Sequence, residues 1–455
     1  MANPLIGIFR VKELRERIFF TSLMLVVFRI GAVLPIPGIN ARVLSAYILA
    51  EANSGNPIVD YLDLFAGGAF SNFSVFMLGI MPYISMSIIM QLLLIVFPSL
   101  KKISQEEGGR KKIQSYQRLG TVGVCIIQAF AVIQYARYII NRGYNVLLFP
   151  SLPGGREIFL FGFIAIVTVT TGTMFLMWVG EQITRRGIGN GISLLIFAGI
   201  VARLPQALYE LGRGVRNGDL NLVSVIVVFV VFVAVVALVV FEQQGQRKIQ
   251  VNYAKRVVGR RMYGAQNTYI PFKINPSGVI PVIFASTILT FPLQIASNMS
   301  GSMPWPWLST VSLVVSQALN PRGPLYNILY VLLIIFFAYF YTQVSLNPIE
   351  IAKQIRENGG SIPGIRTERI EEYLTKILNR IVLPGSLYLA LIAVTPTIIQ
   401  LVFRFPSSIS YLMGGTSLLI LVGVDLDTMS QVEGLLKMHH HDGLTRRGRL
   451  RGRNL

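Results

Sequence analysis

Lysine and arginine fall into alternately crowded and nearly empty connections along this chain, and that alternation limits its fold more tightly than any other feature. The connections separate ten apolar spans: Ile18 to Leu34, Val75 to Phe97, Leu119 to Arg137, Ile158 to Val179, Ile192 to Leu204, Leu222 to Phe241, Gly278 to Ala296, Leu325 to Leu346, Ile381 to Phe403 and Tyr411 to Met429. Crowded connections hold Arg10, Lys12, Arg15 and Arg17; Lys101 to Arg118; Arg185 and Arg186; Arg247 to Lys273; Lys353 to Arg380; and the tail from Lys437. Those between them hold only Arg42, then Arg137, Arg142 and Arg156, then Arg203, Arg213 and Arg216, then Arg322, then Arg404. Since basic loops stay on the cytoplasmic side, the pattern predicts ten crossings with both termini inside.

Composition supports a bilayer as the solvent. Charged residues make up 14% of the 455-residue chain and hydrophobic ones 53%, whereas soluble domains carry about 25% charge. The spans have the roughly 20 apolar residues a helix needs to cross hydrocarbon. They lack the strict alternation of an outer-membrane strand, which favours helices over a barrel. The net charge of +20 would suggest nucleic acid in a soluble protein; here orientation and anionic lipid account for much of it. The first apolar run shows no small-residue cleavage site, so no cleavable signal peptide is expected. The lone Cys125 lies within a span and reads as packing, with no disulfide framework.

The expected fold class is an all-α polytopic membrane protein with two halves of five helices, residues 1–213 and 214–455. An odd number of spans makes the second half enter from the opposite side, the condition for an inverted repeat with a path at its centre. Three segments depart from the plain helical pattern. YLDLFAGGAFSNF, Tyr61 to Phe73, is apolar yet carries Gly67 and Gly68, each costing about 1 kcal/mol in a helix interior. It reads either as a short re-entrant element inside the bundle or as a surface loop. The seventh span carries Pro276, Pro281 and Pro292 with Ser286, Thr287 and Thr290, which predicts a weak or movable helix, or a static kinked one. The third departure is the length of two connections, 242–273 and 347–380, which read either as orientation signals, for which a few charges suffice, or as functional loops, which their length favours. The first interleaves Ile249, Val251, Val257 and Val258 with basic residues and predicts a strand or hairpin; the second opens with a helix-like IEIAKQIRENGG and turns at Pro363 and Gly364 before Arg366. Both suit docking of an acidic partner, RNA or protein, and a basic tail follows at 433–455.

Catalytic and metal constellations are missing from the sequence, so neither an enzyme nor a cofactor is expected. His439, His440 and His441 sit together in the tail and read as a solvated segment. GIGNGIS, Gly187 to Ser193, has the glycines of a phosphate loop without its GK[ST] ending, and is excluded as a nucleotide site. Charges inside the spans are Arg29, Asp425 and Asp427. Intramembrane charge points to function by default, although the aspartates also fit water-facing or Arg-paired positions. No acidic or histidine relay runs through the bundle, which argues against an ion-coupled pump.

Six stretches carry a resemblance to a known family: GIMPYISMSIIMQLL (Gly79 to Leu93), TGTMFLMWVGEQITRRGIGNGISLLIFAGIVA (Thr171 to Ala202), NYAKRVVGRR (Asn252 to Arg261), GVIPVIFAS (Gly278 to Ser286), SIPGIRT (Ser361 to Thr367) and GGTSLLILVGV (Gly414 to Val424). Together they closely resemble the SecY family, the channel subunits of the bacterial Sec translocase. The resemblance implies a ten-helix channel in the plasma membrane that passes unfolded secretory chains and releases transmembrane segments sideways. It implies a plug over about 61–73, including Leu62, Asp63, Leu64, Phe65, Ala66, Gly67, Gly68, Ala69 and Phe70. A pore ring of Ile80, Ile84, Ile192, Ile196, Ile283 and Ile420 is implied, whose uncharged side chains suit gating by dewetting. It also implies a lateral gate with Ser87, Gln91, Gln128, Ser286, Thr287 and Thr290 across its seam, and docking through Arg247, Lys248, Lys255, Arg256, Arg260, Arg261 and Arg366. In the family these loops meet the motor ATPase SecA or the ribosome, Arg366 matching the motor-coupling position and Arg260 with Arg261 the ribosome-facing tip. The further partners implied are the small subunits SecE and SecG, nascent chains with signal sequences, and anionic lipid. Asp425 departs from the family's apolar pattern and has no assigned role. A secondary transporter, which shares inverted repeats, and a poreless insertase are the rival classes.

Overall fold

The computed structural model describes residues 11–44, 47, 63, 66–148, 156–218, 220–253, 256–258, 261–263, 267–299, 306–321, 323–403, 405, 409–410 and 414–446. Two compact units emerge, Met1–Glu210 with Val424–Leu455, and Leu211–Gly423. The first contains α1 (Lys12–Val33), α2 (Met81–Val96), α3 (Pro98–Gln105), α4 (Gly109–Asn141), α5 (Arg156–Arg186) and most of α6 (Gly191–Arg216). The second contains α7 (Leu222–Gln244), α8 (Ile280–Met299), α9 (Pro306–Ala318), α10 (Pro324–Ser345), α11 (Pro348–Glu357), α12 (Ile370–Phe403) and the start of α13 (Gly415–Arg446).

Each of the ten expected spans overlaps a helix among the described residues, namely α1, α2, α4, α5, α6, α7, α8, α10, α12 and α13. Among the described residues six helices are long and apolar enough to cross a membrane, or seven if the pair Met81–Val96 and Pro98–Ser104, bent by 107°, counts as one. α7 shows the logic most plainly. Asn221 caps it by accepting from the Val223 amide at 3.1 Å, and Phe229, Val230 and Phe241 stay exposed along its length. A continuous apolar surface of that kind is matched to hydrocarbon.

The second span begins later than its hydropathy predicts. Val75 to Ile80 form turns, Gly79 takes φ +56°, and Pro82 lies in the first turn of α2, where its missing N–H removes no helical bond. In α8 the three prolines of the seventh stretch take different places. Pro276 precedes the helix and Pro281 starts it, leaving Pro292 as the interior proline. Phe284 then packs edge-on against Phe337 and Tyr341 of α10, with centroids 5.7 and 6.4 Å away.

In the first unit, α4 and α5 are joined by a two-pronged ion pair. Arg118 donates through Nε to Glu181 Oε1 at 3.0 Å and through Nη2 to Oε2 at 2.6 Å. Such fork-to-fork pairing fixes relative orientation as well as adding energy.

The two long connections of the second unit build one folded lobe. β1 (Gln246–Tyr253) pairs antiparallel with β4 (Asn267–Lys273), and β5 (Gly360–Ser361), from the later connection, occupies the other edge of β1. A separate hairpin joins β2 (Arg256–Val258) to β3 (Arg261–Tyr263). Alternation along β1 buries Ile249 and Val251 while Lys248 and Gln250 face out. Ile249 and Val251 join Phe272, Ala352, Ile355, Ile362, Ile370 and Leu374 in a common core. α11, capped by Asn347 accepting from the Ile349 amide at 3.2 Å, is the expected helix at the start of the second connection.

Candidate plug, pore and docking surface

Within the Tyr61 to Phe73 segment the structure describes Asp63 and residues 66–73; Leu62, Leu64 and Phe65 lie outside the described residues. The two glycines explain its path. Gly67 and Gly68 take φ +65° and +90°, a region closed to most side chains, and a Cβ on Gly67 would stand 2.7 Å from Gly199 Cα of α6. The turn therefore lies directly on the α6 backbone. Asp63 closes it from within: Oδ1 accepts from the Phe70 and Ser71 amides at 3.0 and 3.2 Å, and Oδ2 accepts from Ser71 Oγ. Arg203 of α6 pairs with the same carboxylate and donates to Ser71 Oγ at 3.1 Å. From α1, Arg29 donates through Nη1 to the Gly67 carbonyl at 2.8 Å. Phe70 and Phe73 pack on Tyr135 of α4, each 5.5 Å centroid to centroid. The re-entrant reading is thus the one realised, a short element tied to three spans.

Arg29, singled out by its position in an apolar span, finds its partner here. Sequence reading counts Arg203, at the end of the fifth span, with the sparse connection that follows and misses its role. The available signal is its place inside GIVARLPQ, an arginine with apolar neighbours in a helix that continues to Arg216. Asp425 is exposed on α13.

The glycine run Gly187 to Gly191 is a tight connection in which the amides of Gly187, Ile188, Gly189 and Gly191 are already occupied. Ile188 donates to Thr21 Oγ1 at 3.1 Å, Gly189 to Gln431 Oε1 at 2.9 Å, Gly191 to Thr184 Oγ1 at 2.9 Å and Ile192 to Asn190 Oδ1 at 3.1 Å. A phosphate loop needs those same donors turned toward its ligand. Here they bind the turn to α1, α5 and α13.

Of the isoleucines, Ile80 is the N-cap residue of α2, and its carbonyl accepts from the Ile84 amide one turn on at 3.1 Å. Ile192 and Ile196 are similarly spaced on α6, with Ile196 buried. In the second unit Ile283 lies half-buried on α8 and Ile420 is buried on α13. Among the expected gate residues, Ser87 and Gln91 are half-buried on α2 and Gln128 is buried on α4. The α8 hydroxyls are turned inward: Ser286 and Thr287 donate to the Ile283 carbonyl at 2.8 and 2.7 Å, and Thr290 to the Ser286 carbonyl at 2.7 Å. Each satisfies its proton on its own helix, a habit of Ser and Thr in apolar helices.

Three of the expected docking residues face out from the lobe. Arg247 and Lys248 are exposed on β1, and Arg366 is exposed at the N-cap of the 3-10 turn Thr367–Arg369. Arg256 and Arg261 lie on β2 and β3; Lys255 and Arg260 fall outside the described residues. Ile362 is buried and Ile365 packs against the lobe core, so the intervening turn at Gly364, φ +80°, is anchored at both ends and holds Arg366 out.

Many apolar helices, a glycine turn folded back among spans and a separate basic lobe define a multi-pass membrane protein. The chain belongs to the SecY family, whose profile matches residues 74–429. It is 45% identical over 447 residues to protein translocase subunit SecY of Escherichia coli (strain K12), covering 97% of this chain and 96% of that protein. Two solved structures share the fold at 20% identity, each covering 92% of both chains. One is a SecY whose plug domain is described as stabilising the closed channel and maintaining a membrane seal, with TM-score 0.60; the other is Sec61 of the canine ribosome-channel complex, with TM-score 0.59.

Proposed function

We propose that this chain is the pore subunit of a protein translocase, passing unfolded secretory polypeptides across the bacterial plasma membrane and releasing apolar segments sideways into lipid. The observation that carries this is the glycine turn at Gly67 and Gly68, held against α1, α4 and α6 by Arg29, Tyr135 and Arg203. A transporter has no need of such a stopper, and SecY family membership favours the channel. The segment over about 61–73 acts as the plug. Ile80, Ile84, Ile192, Ile196, Ile283 and Ile420 form the constriction, gating by exclusion of water. The halves 1–213 and 214–455 act as an inverted pair with both termini in the cytoplasm. The chain itself does no chemistry, and SecA or a translating ribosome, docking on the basic lobe, supplies the driving force. SecE and SecG complete the complex, and anionic lipid meets the basic tail.

Conductance of the reconstituted protein, with and without deletion of Leu62 to Ser71, tests this reading. The intact protein is expected to be silent and the deletion to open repeatedly. Silence in both, with insertion verified, would overturn the plugged-channel reading. At the gate, Gln91→Leu or Gln128→Leu is expected to alter export of precursors with defective signal sequences by roughly threefold, since polar contacts between membrane helices average about 0.6 kcal/mol. Export that depends on the signal as in the unaltered protein would remove both residues from the gate.

A further inference from the structure

The plug segment is held by a buried charge pair, and charge behaves differently from apolar packing when water arrives. Asp63 is 1% exposed, and a carboxylate so placed keeps its charge only with a partner. Its partner is Arg203, whose side chain is itself 17% exposed. The arrangement around the acid is complete. Oδ1 takes two backbone amides of the turn, and Oδ2 takes Ser71 Oγ and the Arg203 guanidinium. Arg29 grips the Gly67 carbonyl beside it, which keeps the turn seated where Gly67 meets Gly199. Turn and helix are therefore joined by one ionic contact at a place where no side chain separates their backbones.

We propose that Asp63 and Arg203 form an ionic latch that sets how firmly the plug seals the resting channel, with Arg29 and Ser71 as positioning residues. The inference rests on the channel reading above. In a dry site the attraction between the two charges is strong, and lifting the turn from α6 would strand both. Once water enters, the same two groups are solvated separately and the attraction fades. The latch thus has two states, dry and shut or wet and open. Apolar packing strengthens in water and would resist opening instead.

Asp63→Asn isolates the charge, because an asparagine carbonyl still accepts the Phe70 and Ser71 amides. Arg203→Gln removes the other partner. Each is expected to raise the resting ion conductance of reconstituted channels at least about tenfold. The double variant is expected to leak no more than the leakier single, because the second change has no pair left to break. Arg203→Lys, which keeps the positive charge, is expected to restore most of the seal, and it carries the test if Asp63→Asn does not accumulate. The Leu62 to Ser71 deletion is measured alongside. If the deletion leaks while Asp63→Asn and Arg203→Gln remain as tight as the parent, the latch is overturned and the channel reading stands. Leaks that multiply in the double variant would also overturn it, since the two residues then act independently. A silent deletion would overturn the channel reading and the latch with it.

Discussion

Arg366→Glu is expected to stop motor-driven export while the chain stays folded and inserted. Arg366 is exposed and, among the described residues, its guanidinium has no hydrogen-bond or ion-pair partner. Its reversal therefore removes nothing from the lobe. Its position is nonetheless rigid. Ile362 and Ile365 anchor the turn in the lobe core, β5 clips the preceding strand to β1 through Asn252 and Ser361, and Ile370 begins α12 four residues on. An arginine presented so firmly can make the planar two-pronged contact with a carboxylate that lysine cannot. Truncating one partner of a buried interfacial charge pair costs about 2–5 kcal/mol, so reversal should weaken motor docking roughly 30-fold or more. Translocation into inverted vesicles is the measurement, with the lobe's protease resistance as the folding control. Arg366→Lys should retain part of the activity. Full export by the Glu variant would show that docking does not pass through this residue.

Gly191→Val is expected to prevent the first unit from folding. A Cβ on Gly191 would stand 1.9 Å from the Gly180 carbonyl oxygen and 2.8 Å from Ile183 Cβ. The obstacle is backbone, so no rotamer change relieves it, and α5 and α6 would have to part at their connection. Overpacking commonly costs about 1–3 kcal/mol, and a backbone clash belongs at or beyond the top of that range. The separation would also break the Gly191 amide bond to Thr184 Oγ1. Loss of the trypsin-resistant form and of heat stability in detergent would register the effect. Gly212→Ala is the matched control on α6, since nothing stands within 4 Å of its Cβ; it should be neutral or slightly stabilising. A Gly191→Val chain as stable as the parent would mean that α5 and α6 meet differently.

Much of this architecture is legible in the chain because lipid leaves the backbone few options. A span must satisfy every N–H and C=O within itself, so runs such as Leu222 to Phe241 announce their helix with no help from neighbours. Local punctuation is equally readable: Asn221 and Asn347 begin helices by offering a side-chain acceptor. Proline misleads when counted without its position. Pro281 reads as a break in the seventh span, yet at a helix start it removes no bond. The hydroxyls of Ser286, Thr287 and Thr290 read as available for a neighbouring helix, and in the structure they donate to the Ile283 and Ser286 carbonyls of their own helix.

Sequence by itself determined which stretches carry the apolar helices, which connections are basic, the glycine-bearing segment before the second span, and the family to which the chain belongs. These are properties of short windows or of matched motifs, read without knowing which segments meet. Tertiary structure alone decided that Asp63 would face Arg203, that β5 would complete the edge of β1, and that the Gly187 to Gly191 amides would be filled by Thr21, Thr184 and Gln431. All but the Thr184 contact join residues far apart in the chain, and a buried carboxylate or an open strand edge states only that a partner is required, not which distant residue packing will bring to it.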